Sequence, residues 1–272
     1  MHGIVRRSAA DDESRTAAYS PAEGRGGDPV TTARIARSPR VLAEWWLFFA
    51  AAFALTFAGF WPSFFAALSS TQVPLLIHGF SATAWMLLPI LQAWLIRTRR
   101  RIWHRRIGWA SLGLAAVVVL SGLHVLQLMT LRNLDDFQLL RLKFVYLDLT
   151  GLFLFSVFLG LAIWAARRRD YPLHLRLIAC TALIPLEAAI ERLLINSVPS
   201  LVPDFDAGLY AALIFMEVTL IALIVGEWLW RRVRWPFPFL LMYYLVMHAT
   251  LTPVAEHPGF QSFAWGFAHI GS

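Results

Sequence analysis

The chain has 272 residues, 58% of them hydrophobic and only 15% charged, with a mean hydropathy of +0.59. Soluble domains carry about 25% charged residues, so this is the composition of a membrane protein. The net charge of +7 is spread over short arginine clusters between apolar runs, not over one basic face, which excludes a nucleic-acid footprint; the single cysteine, Cys180, excludes an intrachain disulfide and a cysteine metal cage.

Residues 1–40 mix Arg, Asp, Ser, Gly and Pro without an apolar core and read as a disordered cytoplasmic tail, not a cleaved signal. The first apolar run opens at Val41, behind Arg34, Arg37 and Arg40, as an uncleaved signal-anchor does. A helix needs about 20 apolar residues to cross the bilayer core. Seven runs qualify: 41–61, 74–96, 107–129, 143–166, 175–195, 207–230 and 237–255. The expected fold is therefore all-α, a polytopic transmembrane helical bundle of about seven spans over residues 41–255. Residues 256–272 form a C-terminal tail, in which Phe260, Phe263 and Phe267 fall at helical spacing; a short surface helix and an irregular tail fit equally well.

Orientation follows from the loops. Residues 97–106 hold six arginines, 166–176 hold four and 231–234 hold three. The alternate loops, 62–74 and 196–206, hold none, and 130–143 offsets its basic residues partly with Asp135 and Asp136. The positive-inside rule puts every arginine cluster in the cytoplasm, with the N-terminus in and the C-terminus out. The clusters then meet anionic lipid headgroups.

Ionisable groups inside spans are costly and face the bundle interior or water. On this topology the middle or outer half holds His78 in the second span, His124 in the third, Asp148 in the fourth, Glu187, Glu191 and Arg192 in the fifth, Glu217 in the sixth and His248 in the seventh. Each falls on a helical stripe: His78, Ser81, Trp85, Pro89 and Gln92; Gly113, Val117, Ser121, His124 and Gln127; Tyr244, His248 and Thr252. Glu187 and Glu191 share a face, where two carboxylates repel unless a proton or cation intervenes. Other charges need no function: Glu44 with Arg40 and Glu227 with Arg231 are at i,i+4 spacing near the cytoplasmic interface.

The stretch HGFSATAW, then Gln92, then RTRRRIWHRRIG, resembles a family of bacterial polytopic membrane proteins of unknown function. The matching residues are His78, Gly79, Trp85, Gln92, His104, Arg105 and Gly108, followed by His174 and Arg176 in LHLRLI. The likeness covers roughly residues 55–195 and implies a location in the cytoplasmic (inner) membrane of a bacterium, without an activity. A weaker resemblance, to cytochrome b561-type haem proteins, implies haem b held by histidines near helix ends. His104 and His124 lie 20 residues apart, about 30 Å along a helix, too far for two haems stacked in one bundle. A single haem b or a divalent metal would use two of His78, His124 and His248, with Asp148, Glu187, Glu191, Arg192 and Glu217 as proton-relay or ion-pair groups.

Two functions are thus expected to compete. One is a redox or metal-cofactor protein built on the outer-half histidines. The other is a small-molecule transporter or receptor lined by the acids, or an assembly protein without catalysis. The sequence shows no internal repeat and no interrupted helix, which counts against a secondary transporter.

Overall fold

A computed structural model describes residues 45–131 and 138–270. The tail expected over 1–40, the Glu44–Arg40 pair and the Asp135 and Asp136 carboxylates lie outside the described residues. All regular structure among the described residues is helical: α1 (Trp46–Phe60), a 3-10 turn (Phe65–Ser70), α2 (Val73–Arg97), α3 (Arg101–Leu131), α4 (Gln138–Arg167), α5 (Tyr171–Leu183), α6 (Leu186–Ser197), α7 (Phe205–Leu229), α8 (Pro236–Glu256) and α9 (Pro258–Ala268). Five of these, α2, α3, α4, α7 and α8, are long and apolar enough to cross a membrane. This is the make-up of an integral membrane protein, and the all-α bundle is as expected.

The fifth apolar run departs from expectation. It is two helices, α5 of 13 residues and α6 of 12, meeting at Ile184–Pro185. Pro185 has no N–H to carry the helix ladder on, and it stands immediately before α6. At 1.5 Å per residue the halves are about 20 Å and 18 Å long. Neither reaches the roughly 30 Å of the hydrocarbon core alone; together they do.

These two halves occupy the centre. Eight of the 13 residues of α5 are buried, including Leu177, Ala179, Cys180 and Thr181. α5 packs on α1, α2, α4 and α8, and α6 packs on α1 and α7. Small residues set the closest approaches. A Cβ on Gly59 of α1 would stand 2.1 Å from the carbonyl oxygen of Ala189, so backbone rests on backbone there. A Cβ on Gly208 of α7 would stand 2.7 Å from Ile195 and 3.3 Å from Cγ of Glu191. α6 is thereby held between α1 and α7.

The α2–α3 hairpin packs beside this core. Ser81, Trp85 and Pro89 of α2 are buried, as their stripe predicts, and Trp85 meets Phe155 edge-on at 4.9 Å. The stripe expected on α3 is met at Ser121 and Gln127 alone. Its buried face is Ala115, Val118, Gly122 and Leu126, while Gly113, Val117 and His124 are exposed. His124 lies two residues past Gly122, about 200° round the helix. The tail beyond α8 resolves in favour of a helix: α9 buries Ala264 and Ala268, and its last turn is capped when Gln127 Nε2 donates to the carbonyls of Phe267 (3.1 Å) and Ile270 (3.3 Å).

Three helices end in the same turn. After α2, Arg99 N–H donates to Ile96 O (3.1 Å) and Arg100 N–H to Leu95 O (2.8 Å). After α4, Arg169 donates to Ala166 O (3.0 Å) and Asp170 to Ala165 O (2.9 Å); after α7, Arg231 and Arg232 donate to Trp228 O and Glu227 O, both at 2.8 Å. Each is a Schellman turn, whose left-handed position usually takes glycine. Here it is Arg99, Arg169 and Arg231, with φ of 61°, 61° and 52°, at roughly 1 kcal/mol each.

Gly59→Ala forces α1 away from α6, and a loss of about 1–3 kcal/mol is expected for such overpacking. Gly113→Ala, with nothing within 4 Å of the new Cβ, is expected to leave stability unchanged or raised. Thermal unfolding of the two variants side by side in one detergent checks both.

Candidate functional site

The central helix brings its acids to one place. Glu187 stands in the first turn of α6 and Glu191 one turn later, on the same face; they are 4% and 0% exposed. Asp148 of α4 and Arg192 stand within electrostatic reach of both. Arg192 donates to Ala188 O (2.8 Å) and to Glu191 Oε2 (3.3 Å), and its guanidinium lies 4.8 Å from the Phe60 ring centre. Three carboxylates against one guanidinium leave two uncompensated negative charges if all ionise. Oε1 of Glu187 and Oε1 of Glu191 are buried with no hydrogen-bond partner among the described residues. Buried oxygens of this kind call for a proton or a cation.

Hydroxyl groups border the acids. Tyr243 of α8 donates to Leu147 O (3.2 Å) and lies 3.1 Å from Thr150 Oγ1 of α4. Tyr146 and Thr250, a turn away on the same two helices, lie 3.2 Å apart. Tyr243 is within electrostatic reach of Asp148, Glu187 and Tyr146. Two separate hydroxyl pairs therefore lie on the α4–α8 seam.

The other expected site residues have other neighbours. His78 Nδ1 lies 3.1 Å from Ser121 Oγ of α3, and its ring touches the helix at Gly122. His124 is exposed. His248 Nδ1 pairs with Glu217 at 2.9 Å, beside the Tyr210 ring at 5.5 Å, while Tyr210 bonds Thr252 at 2.7 Å. Among the described residues no three His, Cys, Asp or Glu side chains are placed to hold a metal ion. His78, His124 and His248 stand on three different helices, α2, α3 and α8, and His78 and His248 have different partners.

The opposite, arginine-rich end holds a second buried charge network. Arg176 Nε donates to Glu227, Arg176 Nη1 to Pro172 O (2.7 Å), and Arg234 Nη1 to Asp170 Oδ2 (2.6 Å). Glu227 thus pairs across the bundle with α5 and not with Arg231 as its spacing suggests, because α7 has ended and turned before Arg231 is reached. The Gln92 amide, with its NH2 toward α3, donates to His104 Nδ1 (2.5 Å) and its oxygen accepts from Gly108 N–H (3.2 Å). His174 Nδ1 donates to Ala162 O (2.9 Å) and the ring is within electrostatic reach of His104.

Sequence reading missed Lys143 and Tyr243, and it named Arg176 without its partner Glu227. Lys143 is 5% exposed, pairs with Asp206 at 2.6 Å and lies over the Tyr210 ring; its position at the head of an apolar run was the available signal. Tyr243 gave none, since tyrosine at a membrane interface is ordinary. Comparison with protein-family models, curated proteins and solved structures finds no match.

Arg176→Met leaves the Glu227 carboxylate buried and unpaired, and a loss of about 3–5 kcal/mol is expected. Arg176→Met with Glu227→Leu removes both charges and is expected to recover most of that loss. Equal melting temperatures for the parent and the single variant in detergent would show the pair to be energetically silent.

Proposed function

We propose that this chain is a seven-span integral membrane protein that couples solute movement to proton or monovalent-cation exchange at Asp148, Glu187 and Glu191. The observation that carries the reading is the pair of buried carboxylate oxygens without partners, on a helix that starts at a break within the bundle. Discontinuous helices place backbone ends and charged side chains at ion sites in the middle of secondary transporters. The break at Ile184–Pro185 supplies that element, which the continuous-helix reading lacked. Arg192 can bind Glu191 or Asp148 in turn, holding whichever carboxylate has lost its proton or cation. The Tyr243–Thr150 and Tyr146–Thr250 hydroxyls offer a route along α4 and α8.

Haem b or a divalent metal on His78, His124 and His248 is the competing reading, and their different surroundings do not favour it. A Soret band in the purified protein would reinstate it.

Protons moving on and off these acids leave a carboxyl signature in pH-difference infrared spectra, taken over roughly pH 5 to pH 9, the range in which a perturbed carboxylate titrates. Glu187→Gln and Glu191→Gln are each expected to delete part of that band while melting within a few degrees of the parent. If neither variant changes the spectrum and sodium does not alter the melting temperature of the parent, the site exchanges neither ion.

Topology is testable separately. A reporter inserted in 97–106 is expected to read cytoplasmic and one after Ser272 extracytoplasmic; the reverse at either place overturns the orientation.

A further inference from the structure

The three arginine turns form one surface. Arg167, at the end of α4, lies 5.3 Å from the ring centre of Trp109 in α3. Arg234, before α8, pairs with Asp170 of the α4–α5 turn, and Arg176 Nη2 donates to Arg232 O beyond α7. The turns after α2, α4 and α7 therefore stand at the same end of the bundle.

Two features of this surface go beyond a statistical excess of positive charge. First, the left-handed position of all three turns is arginine, where glycine fits the backbone better, and Arg99, Arg169 and Arg231 have no carboxylate partner among the described residues. Second, guanidinium groups are laid over half-exposed tryptophans: Arg100 over Trp94 at 5.2 Å, Arg106 over Trp103 at 5.6 Å and Arg168 over Trp164 at 5.0 Å. Beside Arg231 there is a shallow open recess lined also by Trp228, Leu229 and Val233. An indole prefers the headgroup level of a bilayer, and a guanidinium presents a fork of donors that matches a phosphate.

We propose that this end is a binding surface for anionic phospholipid headgroups, with Arg99, Arg169 and Arg231 as the phosphate-contacting side chains and the tryptophans as the anchors that set its depth. The surface is independent of the carboxylate site. Its ligand is a lipid phosphodiester bearing net negative charge, held at the membrane and not taken up from solution. Arginine at the turn position keeps a cation on the outermost residue of each turn, which glycine would forfeit.

The test titrates phosphatidylglycerol, phosphatidylcholine and inorganic phosphate separately into the detergent-solubilised full chain, reading bound lipid by native mass spectrometry and stability by melting. The parent is expected to prefer phosphatidylglycerol, and each of Arg99→Gly, Arg169→Gly and Arg231→Gly to weaken it about fivefold, the triple variant on the order of a hundredfold. The glycine variants should melt no lower than the parent without lipid, because glycine relieves the left-handed backbone. Arg→Lys at the same positions should retain most of the preference. No preference in the parent, an unchanged preference in the triple variant, or equal protection by inorganic phosphate would each overturn the proposal.

Discussion

A helix largely enclosed by protein has to settle most of its polar groups within the bundle, and the middle of the α5–α6 segment is enclosed in this way. Its charges dictate what the surrounding helices supply. At one end Arg176 requires a carboxylate, and α7 provides Glu227, with the backbone of the following turn folded back to complete the set. At the other end Glu187 and Glu191 are only partly answered by Arg192. Burial on this scale is achieved by removing side chains: Gly59 and Gly208 let α1 and α7 reach the backbone and the Glu191 stem. The well-satisfied end and the unsatisfied end belong to the same element, so the vacancy in hydrogen bonding is local and not a general looseness of the packing.

The division has a mechanical reading. The α5 half is tied to α7 and to the turn before α8 through Arg176, Glu227, Asp170 and Arg234. The α6 half is tied to α1 by backbone contact at Gly59 and to α7 by Gly208 against the side chains of Ile195 and Glu191. Between them stand Ile184 and Pro185, where the ladder has lost a donor. Relative movement of the halves would thus be absorbed at two residues while both sets of ties persist, in the manner of a hinge whose flanking bodies stay packed.

How much of this was legible in the sequence depends on what lipid does to a pattern. Span ends were readable to within a few residues, since arginines and prolines punctuate them. The facing of α2 was readable from Ser81, Trp85 and Pro89. On α3 the same reasoning followed polar residues and came out rotated, because lipid is as apolar as the core and only the small residues Ala115 and Gly122 mark the packed face. His124 was taken as a marker and points away from that face. The break in the fifth run was illegible for a related reason: Pro89 and Pro253 sit inside unbroken helices, so Pro185 alone could not announce an interruption. The shared face of Glu187 and Glu191 was correctly read from their spacing. What spacing could not show was that Asp148 joins them, while Glu217 turns to His248, since that depends on the order in which helices pack.

Cys180 gives the centre of the molecule a chemical clock. It is the one thiol in the chain, it is fully buried, and it lies on α5 four residues before Ile184. A thiol reacts only once its sulfur meets reagent as thiolate. The rate at which a maleimide labels the unmodified protein is therefore the rate at which α5 parts from its neighbours, or the population in which it has already done so. Nature has placed a single reporter beside the break, and its silence or reactivity measures the breathing of the core without any residue being changed.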